Sequence, residues 1–204
     1  MMNGENDNER SVVQRAVKGD SSAFGALYDR YQPMIYRFVL IKVGRREEAE
    51  DITHQVFLSA WQNVAGYRHR GHPLSSWLYQ IARNQVIDHY REHARRHDVS
   101  IDKTDPEAFA VAGDHEASLG TKLALEKVRS AVGRLKPDYQ DVIILRFVED
   151  MSLKETAAAL RKTEGAIKLA QHRAIRELKR ALGDEPSISF DSLTVSFDDS
   201  DEDL

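Results

Sequence analysis

Leu74-Ser75-Ser76-Trp77-Leu78-Tyr79-Gln80-Ile81-Ala82-Arg83-Asn84-Gln85-Val86-Ile87-Asp88-His89-Tyr90-Arg91-Glu92-His93-Ala94-Arg95-Arg96 is the stretch on which the fold class turns. Leu74, Trp77, Leu78, Ile81, Ala82 and Val86 recur every three or four residues, the spacing of one buried face of a helix. Gln80, Arg83, Asn84 and Arg91 gather on the opposite side, so one face is core and the other polar. Gly71-His72-Pro73 breaks any preceding helix, Pro73 or Leu74 can open the new one, and Ser75 and Ser76 are candidate caps. The far end is basic, with Arg91, Arg95 and Arg96 among His89, His93 and His97, and Tyr67-Arg68-His69-Arg70 just upstream interleaves an aromatic ring with cations. Such a composition suits a phosphate backbone and unstacked bases. A solvated amphipathic helix with a charged end accounts for it as well when the stretch is taken alone.

Upstream, the pattern remains helical. Residues 1–10 are polar without periodicity and read as disordered. Val12, Val13, Ala16 and Val17 then make a short amphipathic turn that stops at Gly19-Asp20. Ser21 or Ser22 can cap a helix carrying Phe24, Leu27, Tyr28 and Tyr31, which Pro33 bends or restarts before the apolar run Met34 to Val43 ends at Gly44. A further helix from Glu47 to Val64 buries Ala49, Ile52, Val56, Phe57, Ala60 and Trp61, with Glu50, Asp51, His54, Gln55 and Gln62 lying away from that stripe.

Downstream, periodicity fails over 98–118, a segment with six acidic residues, one lysine, Pro106 and Gly113, which reads as a linker. A second helical set follows. Leu123, Leu125, Val128, Ala131, Val132 and Leu135 lead to Lys136-Pro137, and Pro137 opens a helix with Val142, Ile143, Ile144, Leu145 and Phe147. Ser152-Leu153-Lys154-Glu155 has the Ser-x-x-Glu form of a capping box and starts a short helix with Thr156, Ala157, Ala158 and Leu160. After Arg161-Lys162-Thr163 a basic helix runs from about Glu164 to Leu182, with Ile167, Ala174, Ile175, Leu178 and Leu182 inward and Lys168, His172, Arg173, Arg176, Lys179 and Arg180 outward. A capped short helix, a three-residue turn and a second helix with a basic face make the helix-turn-helix layout.

The 204 residues therefore divide into an all-α chain of two small helical domains: 1–10 disordered, 11–97 the first domain, 98–120 a flexible acidic linker, 121–183 the helix-turn-helix domain and 184–204 an acidic tail. The net charge of −4 hides this division. Of 29 basic and 33 acidic residues, eight acidic and no basic ones fall in 184–204, which leaves 29 against 25 and a net +4 on residues 1–183. With no cysteine there is no disulfide or thiolate metal site. No run approaches the roughly 18 apolar residues of a membrane span, and the polar start is no secretory signal, so the expected location is the cytoplasm, without membrane insertion.

Taken together, these segments resemble the extracytoplasmic-function branch of the bacterial RNA polymerase sigma factors over residues 11–97 and 121–183. Gly19-Asp20, Ala23-Phe24, Leu27-Tyr28 and Tyr31 are similar to the first helix of the family's promoter-melting domain, and Ala49-Glu50-Asp51-Ile52, Val56-Phe57-Leu58 and Ala60-Trp61 to its clamp-docking helix. Trp77-Leu78-Tyr79, Ile81-Ala82-Arg83-Asn84, Asp88 and Arg91 resemble the helix that reads the minus-ten element. Leu135-Lys136-Pro137, Arg146-Phe147, Thr163 to Lys168 and His172-Arg173-Ala174 resemble the domain that reads the minus-thirty-five element. Ala170 and Gln171 stand where many relatives carry arginine and leucine, His54 and Gln55 where Gln and Glu are common, and the chain runs about twenty residues past the shortest members.

The resemblance implies a sigma factor that binds core RNA polymerase, takes it to promoter DNA and helps melt the minus-ten region. Together with the basic and aromatic pattern, it makes Asp51, His54, Gln55 and Leu58 the candidate polymerase contacts, Tyr67, Arg68, Arg70, Arg83, Asn84 and Arg91 the candidate minus-ten contacts, and Thr163, Glu164, Lys168, His172, Arg173 and Arg176 the candidate minus-thirty-five contacts. It also admits an anti-sigma factor as a regulatory partner. Two other readings are a stand-alone helix-turn-helix regulator and a protein-only adaptor, neither of which uses the docking and melting motifs together. His89, Glu92 and His93 match the H-x-x-E-H zinc-peptidase pattern, with His97 one turn on, but in a chain of eight histidines and beside three arginines this is weak evidence. The expectation is therefore no metal, no cofactor and no catalytic residue. In the tail, Ile188, Phe190, Leu193, Val195 and Phe197 alternate with polar residues, and the reading offered is a segment that restrains DNA binding.

Overall fold

The computed structural model describes residues 3–69, 71–95, 127–128 and 130–182, with side chains from residue 9 onward. Helix α1 is Asn3–Val17, α2 Ser21–Val43, α3 Arg46–Asn63 and α4 Leu74–Arg95. After helical residues 130–134 come α5 (Pro137–Ile143), a wide π-type turn (Ile144–Val148), α6 (Leu153–Leu160) and α7 (Glu164–Leu182). The fold is all-α, and no strand occurs among the described residues. The linker 98–120 and the tail 184–204 lie outside them.

Local chemistry sets most boundaries. Asp20, rather than Ser21 or Ser22, caps α2: its Oδ1 accepts from Ala23 N at 3.0 Å while Arg15 holds Oδ2, and these bonds keep its carboxyl below the usual range. The chain reaches that cap through Gly19 at φ +91°, and α2 ends on Gly44 at φ +74°, both left-handed positions that glycine takes without a Cβ clash. The capping box at Ser152 is complete, with Glu155 N donating to Ser152 Oγ and Ser152 N donating to Glu155 Oε2. Pro137 occupies the first turn of α5.

Three expectations are corrected. Helix α1 begins inside the stretch read as disordered, and its anchor is long-range: the Tyr31 hydroxyl donates to Glu9 Oε1 at 2.6 Å and Arg30 pairs with Glu9 at 3.3 Å. Pro33 does not restart the helix but lies within one continuous α2, between the buried side chains of Tyr31 and Ile35. Ser76 is no cap but a buried group on α4 whose hydroxyl donates to Glu155 O at 3.2 Å.

Helices α1 to α4 enclose one core. Phe38 meets Tyr79 edge-on at 5.4 Å, Tyr28 meets Phe57 at 4.8 Å and Phe24 meets Trp61 at 4.9 Å, contacts worth about 0.5–1.5 kcal/mol each beyond area burial. The second helical set does not keep wholly to itself. Ala131, Val132, Leu135, Ile143, Ala174, Ile175 and Leu178 form a small separate cluster, whereas Ile144, Leu145, Ala157, Leu160 and Ile167 join the core of the first four helices.

Charge seals that junction. Arg37 grips Glu149, whose side chain is fully buried, and Lys42 reaches the equally buried Asp141 at 2.8 Å. Arg83 forks to Asp141 Oδ2 at 2.8 Å and Asp138 Oδ1 at 2.9 Å, and Lys162 adds a bond to Asp138 at 2.7 Å. Gln80 donates to Ala158 O at 2.7 Å near the end of α6 and accepts from Arg161 at 3.1 Å.

Candidate polymerase and nucleic-acid interfaces

Helix α3 buries Ala49, Ile52, Val56, Phe57 and Ala60, which turns Asp51, His54, Gln55 and Leu58 outward together, all exposed. Thr53 lies on the buried side and donates to Ala49 O at 2.6 Å. Leu58 is 57% exposed and Trp61 39%, so this face carries an apolar edge beside its polar row. Trp61, which the helical repeat assigns to the core stripe, is only partly covered. Its ring packs edge-on against Phe24 while the rest of the indole faces outward, a split that a helical repeat cannot register.

The expected minus-ten residues are divided by the fold. Tyr67 leans on Trp77 at 5.2 Å and is half-buried, and burial, with the Glu9 charge second, raises its hydroxyl pKa. Arg68 is exposed and donates to Ala65 O and Tyr67 O, which holds the guanidinium close to its own loop. Asn84 and Arg91 are exposed on α4, the latter at 3.5 Å from Asp88. Arg70 lies outside the described residues. Arg83 points the other way, into Asp138 and Asp141, and these bonds outweigh the desolvation that would lower its pKa. The polar face of α4 is thus partly an internal surface, with Gln80 and Arg83 turned to the second helical set and Asn84 and Arg91 to solvent.

The helix-turn-helix is assembled from α6, the turn Arg161 to Thr163 and α7. Arg161 adopts the left-handed conformation, φ 53° and ψ 45°, and Lys162 N donates to Ala157 O, which together end α6 sharply. Thr163 Oγ1 accepts from Ala166 N at 3.2 Å and caps α7. Ile167, Ala174, Ile175 and Leu178 are buried, and Lys168, His172, Arg173 and Arg176 share the exposed face with Thr163 and Glu164 at its start. Gln171 is buried and its Oε1 accepts from Arg146 Nε at 3.0 Å, while the other end of that guanidinium donates to Met151 O. The Gln171 side chain thereby holds α7 against the preceding turn. Leu169, 50% exposed among the cations, was not singled out by the sequence pattern.

A fourth cluster lies between α3 and α4. Glu48, His89 and His93 each present a ligand-type atom within 4.8 Å of the others. The two histidines belong to the H-x-x-E-H stretch, but the third member comes from α3, 41 residues earlier, beyond the reach of a local pattern.

Comparison with known proteins supplies the class. Residues 27–96 match the model for sigma-70 region 2, and residues 125–178 match that for sigma-70 region 4. The chain is 38% identical over 174 residues to the ECF RNA polymerase sigma factor BldN of Streptomyces coelicolor, covering 85% of this chain and 66% of that protein. It is 31% identical over 173 residues to the ECF sigma factor SigD of Mycobacterium bovis, covering 83% and 81% respectively. The structure of CnrH, solved in complex with the cytosolic domain of CnrY, superposes with a TM-score of 0.65 at 23% identity, covering 85% of this chain and 96% of that one. The chain belongs to the ECF RNA polymerase sigma factors, a family of transcription-initiation factors and not of enzymes. Among the described residues no helix is long and apolar enough to cross a membrane.

Proposed function

We propose that this chain binds core RNA polymerase, directs it to specific promoters in the cytoplasm and helps to open the minus-ten region. The observation that carries this reading is the coexistence on one chain of two exposed faces of different chemistry: the polar and apolar row of α3 and the basic face of α7. Asp51, His54, Gln55 and Leu58 dock on the polymerase. Lys168, His172, Arg173 and Arg176, with Thr163 and Glu164 at the helix start, meet the minus-thirty-five duplex through phosphates and a few base edges. Tyr67, Arg68, Arg70, Asn84 and Arg91 take the opened minus-ten strand, where stacking worth about 1–3 kcal/mol per base offsets unpairing. Arg83 reaches that strand only after releasing Asp138 and Asp141, so promoter opening includes a parting of α4 from α5. An anti-sigma factor fits the same scheme as a protein that holds these faces covered.

Run-off transcription with purified core polymerase on genomic fragments tests the proposal. The expected result is a set of defined transcripts that require both the chain and the core enzyme. Tight binding of the chain alone to a duplex operator, with no polymerase-dependent transcript, would instead mark a stand-alone regulator.

A further inference from the structure

We propose that Glu48, His89 and His93 form a binding site for a single zinc-like transition-metal dication that bridges α3 and α4. His89 and His93 stand one helical turn apart on α4, with ring centroids 4.2 Å from each other. This i, i+4 arrangement places two imidazoles on one side of a helix. Glu48 Oε2 lies 3.1 Å from His89 Nε2, a few tenths of an ångström short of the roughly 3.3–3.6 Å that separates two ligands on a tetrahedral ion with bonds of about 2.0–2.2 Å. The carboxylate is already oriented, because Arg45 Nη1 holds the other oxygen, Oε1, at 2.6 Å. Partners of that kind fix a ligand's direction and tune the metal.

The surroundings fit a dication. The cluster opens into a cavity of about 280 Å³ that Asp51, Asp88 and Glu92 also line, and Glu48 and His89 keep only 20% and 17% of their side-chain surface exposed. Two imidazoles and one carboxylate are a borderline-soft donor set, which favours zinc, cobalt, nickel or copper over magnesium or calcium. Three protein ligands leave a fourth position to water. On binding, the metal takes the place of the direct contact between His89 Nε2 and Glu48 Oε2, with the neutral imidazole carrying its proton on Nδ1.

The test uses the full chain without an affinity tag, stripped of metal by a chelator. Titration with Co²⁺, followed by visible absorption, and with Zn²⁺, followed by calorimetry, should give one equivalent bound and the intense absorption of four-coordinate cobalt. Glu48→Gln, His89→Ala and His93→Gln should each weaken binding by at least about 10-fold, whereas His69→Ala, at an exposed loop position, should not. Circular dichroism guards against misfolding. Since a ligand that binds only the native state raises its stability, Zn²⁺ should raise the melting temperature of the native chain but not of His93→Gln. Binding unchanged in His89→Ala and His93→Gln, or no stoichiometric binding by the native chain, would overturn the proposal.

Discussion

Arg37 and Glu149 meet across 112 residues of sequence in two parallel hydrogen bonds, Nε to Oε1 at 2.7 Å and Nη2 to Oε2 at 2.6 Å. This fork joins α2 to the segment just after the π-type turn, and the carboxylate has no exposed side-chain surface. Tyr79 is buried beside it, and burial, reinforced by the Glu149 charge, pushes its hydroxyl pKa well above the ordinary phenol value.

Removal of one partner therefore strands a charge. Arg37→Ala should weaken the contact between the two helical sets by about 3–5 kcal/mol, the range for breaking a buried pair. The readout is amide hydrogen exchange, which should accelerate in α4 and α6 more than at the α2–α3 contact. The double variant Arg37→Met with Glu149→Leu should recover most of that protection, because it leaves no unpaired charge.

Acid should loosen the same junction. The Asp138 carboxyl is held below its usual value of 3.8, first by its hydrogen bond from Lys162 and then by Arg83. A depressed folded-state value means that stability is fully present above the unfolded value and is lost as the pH falls through the lower, folded one. Stability measured by urea at a series of pH values should thus decline below about pH 4, and Asp138→Asn should flatten that decline. Because 47% of its side-chain surface is exposed, solvent screening keeps the effect modest.

For the α3 face, Asp51→Lys together with Gln55→Lys should lower affinity for core polymerase while leaving helicity intact, since both side chains are exposed. Affinity is measured with labelled chain and purified core enzyme. Undiminished binding would remove this face from the docking surface.

DNA contacts should separate by assay. Lys168→Ala and Arg173→Ala should weaken duplex binding and reduce its salt dependence by about one unit of slope each if each contacts a phosphate. Asn84→Ala and Tyr67→Phe should spare duplex binding. Permanganate reactivity at minus-ten thymines should fall in Asn84→Ala, and in Tyr67→Phe to the extent that the hydroxyl contributes, with the packing on Trp77 retained. Unaltered reactivity in both would remove these residues from strand capture.

What was legible in the sequence is what local chemistry determines. The Ser152–Glu155 capping box, the helix start at Pro137 and the stops at Gly19 and Gly44 all stand in the structure, because each is decided within four or five residues. The outward rows on α3 and α7 follow from the helical repeat in the same way. Longer-range choices were not legible. Arg83 reads as a free cation on a polar face until Asp138 and Asp141 are brought beside it, and Glu9 orders α1 only through Tyr31 and Arg30. Glu48 likewise joins His89 and His93 only once α3 packs on α4.

The core shared by the two helical sets also imposes an order of events in time. The chain emerges from the ribosome with α1 to α4 complete while α5 and α6, which supply Ile144, Leu145, Ala157 and Leu160 in and after them, are still unmade. The roughly 65 residues from Arg95 to Leu160 take about 3–13 s at some 5–20 residues per second. During that interval the side of α4 that packs on α6 stays in water. The newborn chain is for those seconds a stickier object than the finished one, and its exposure to aggregation peaks before synthesis ends.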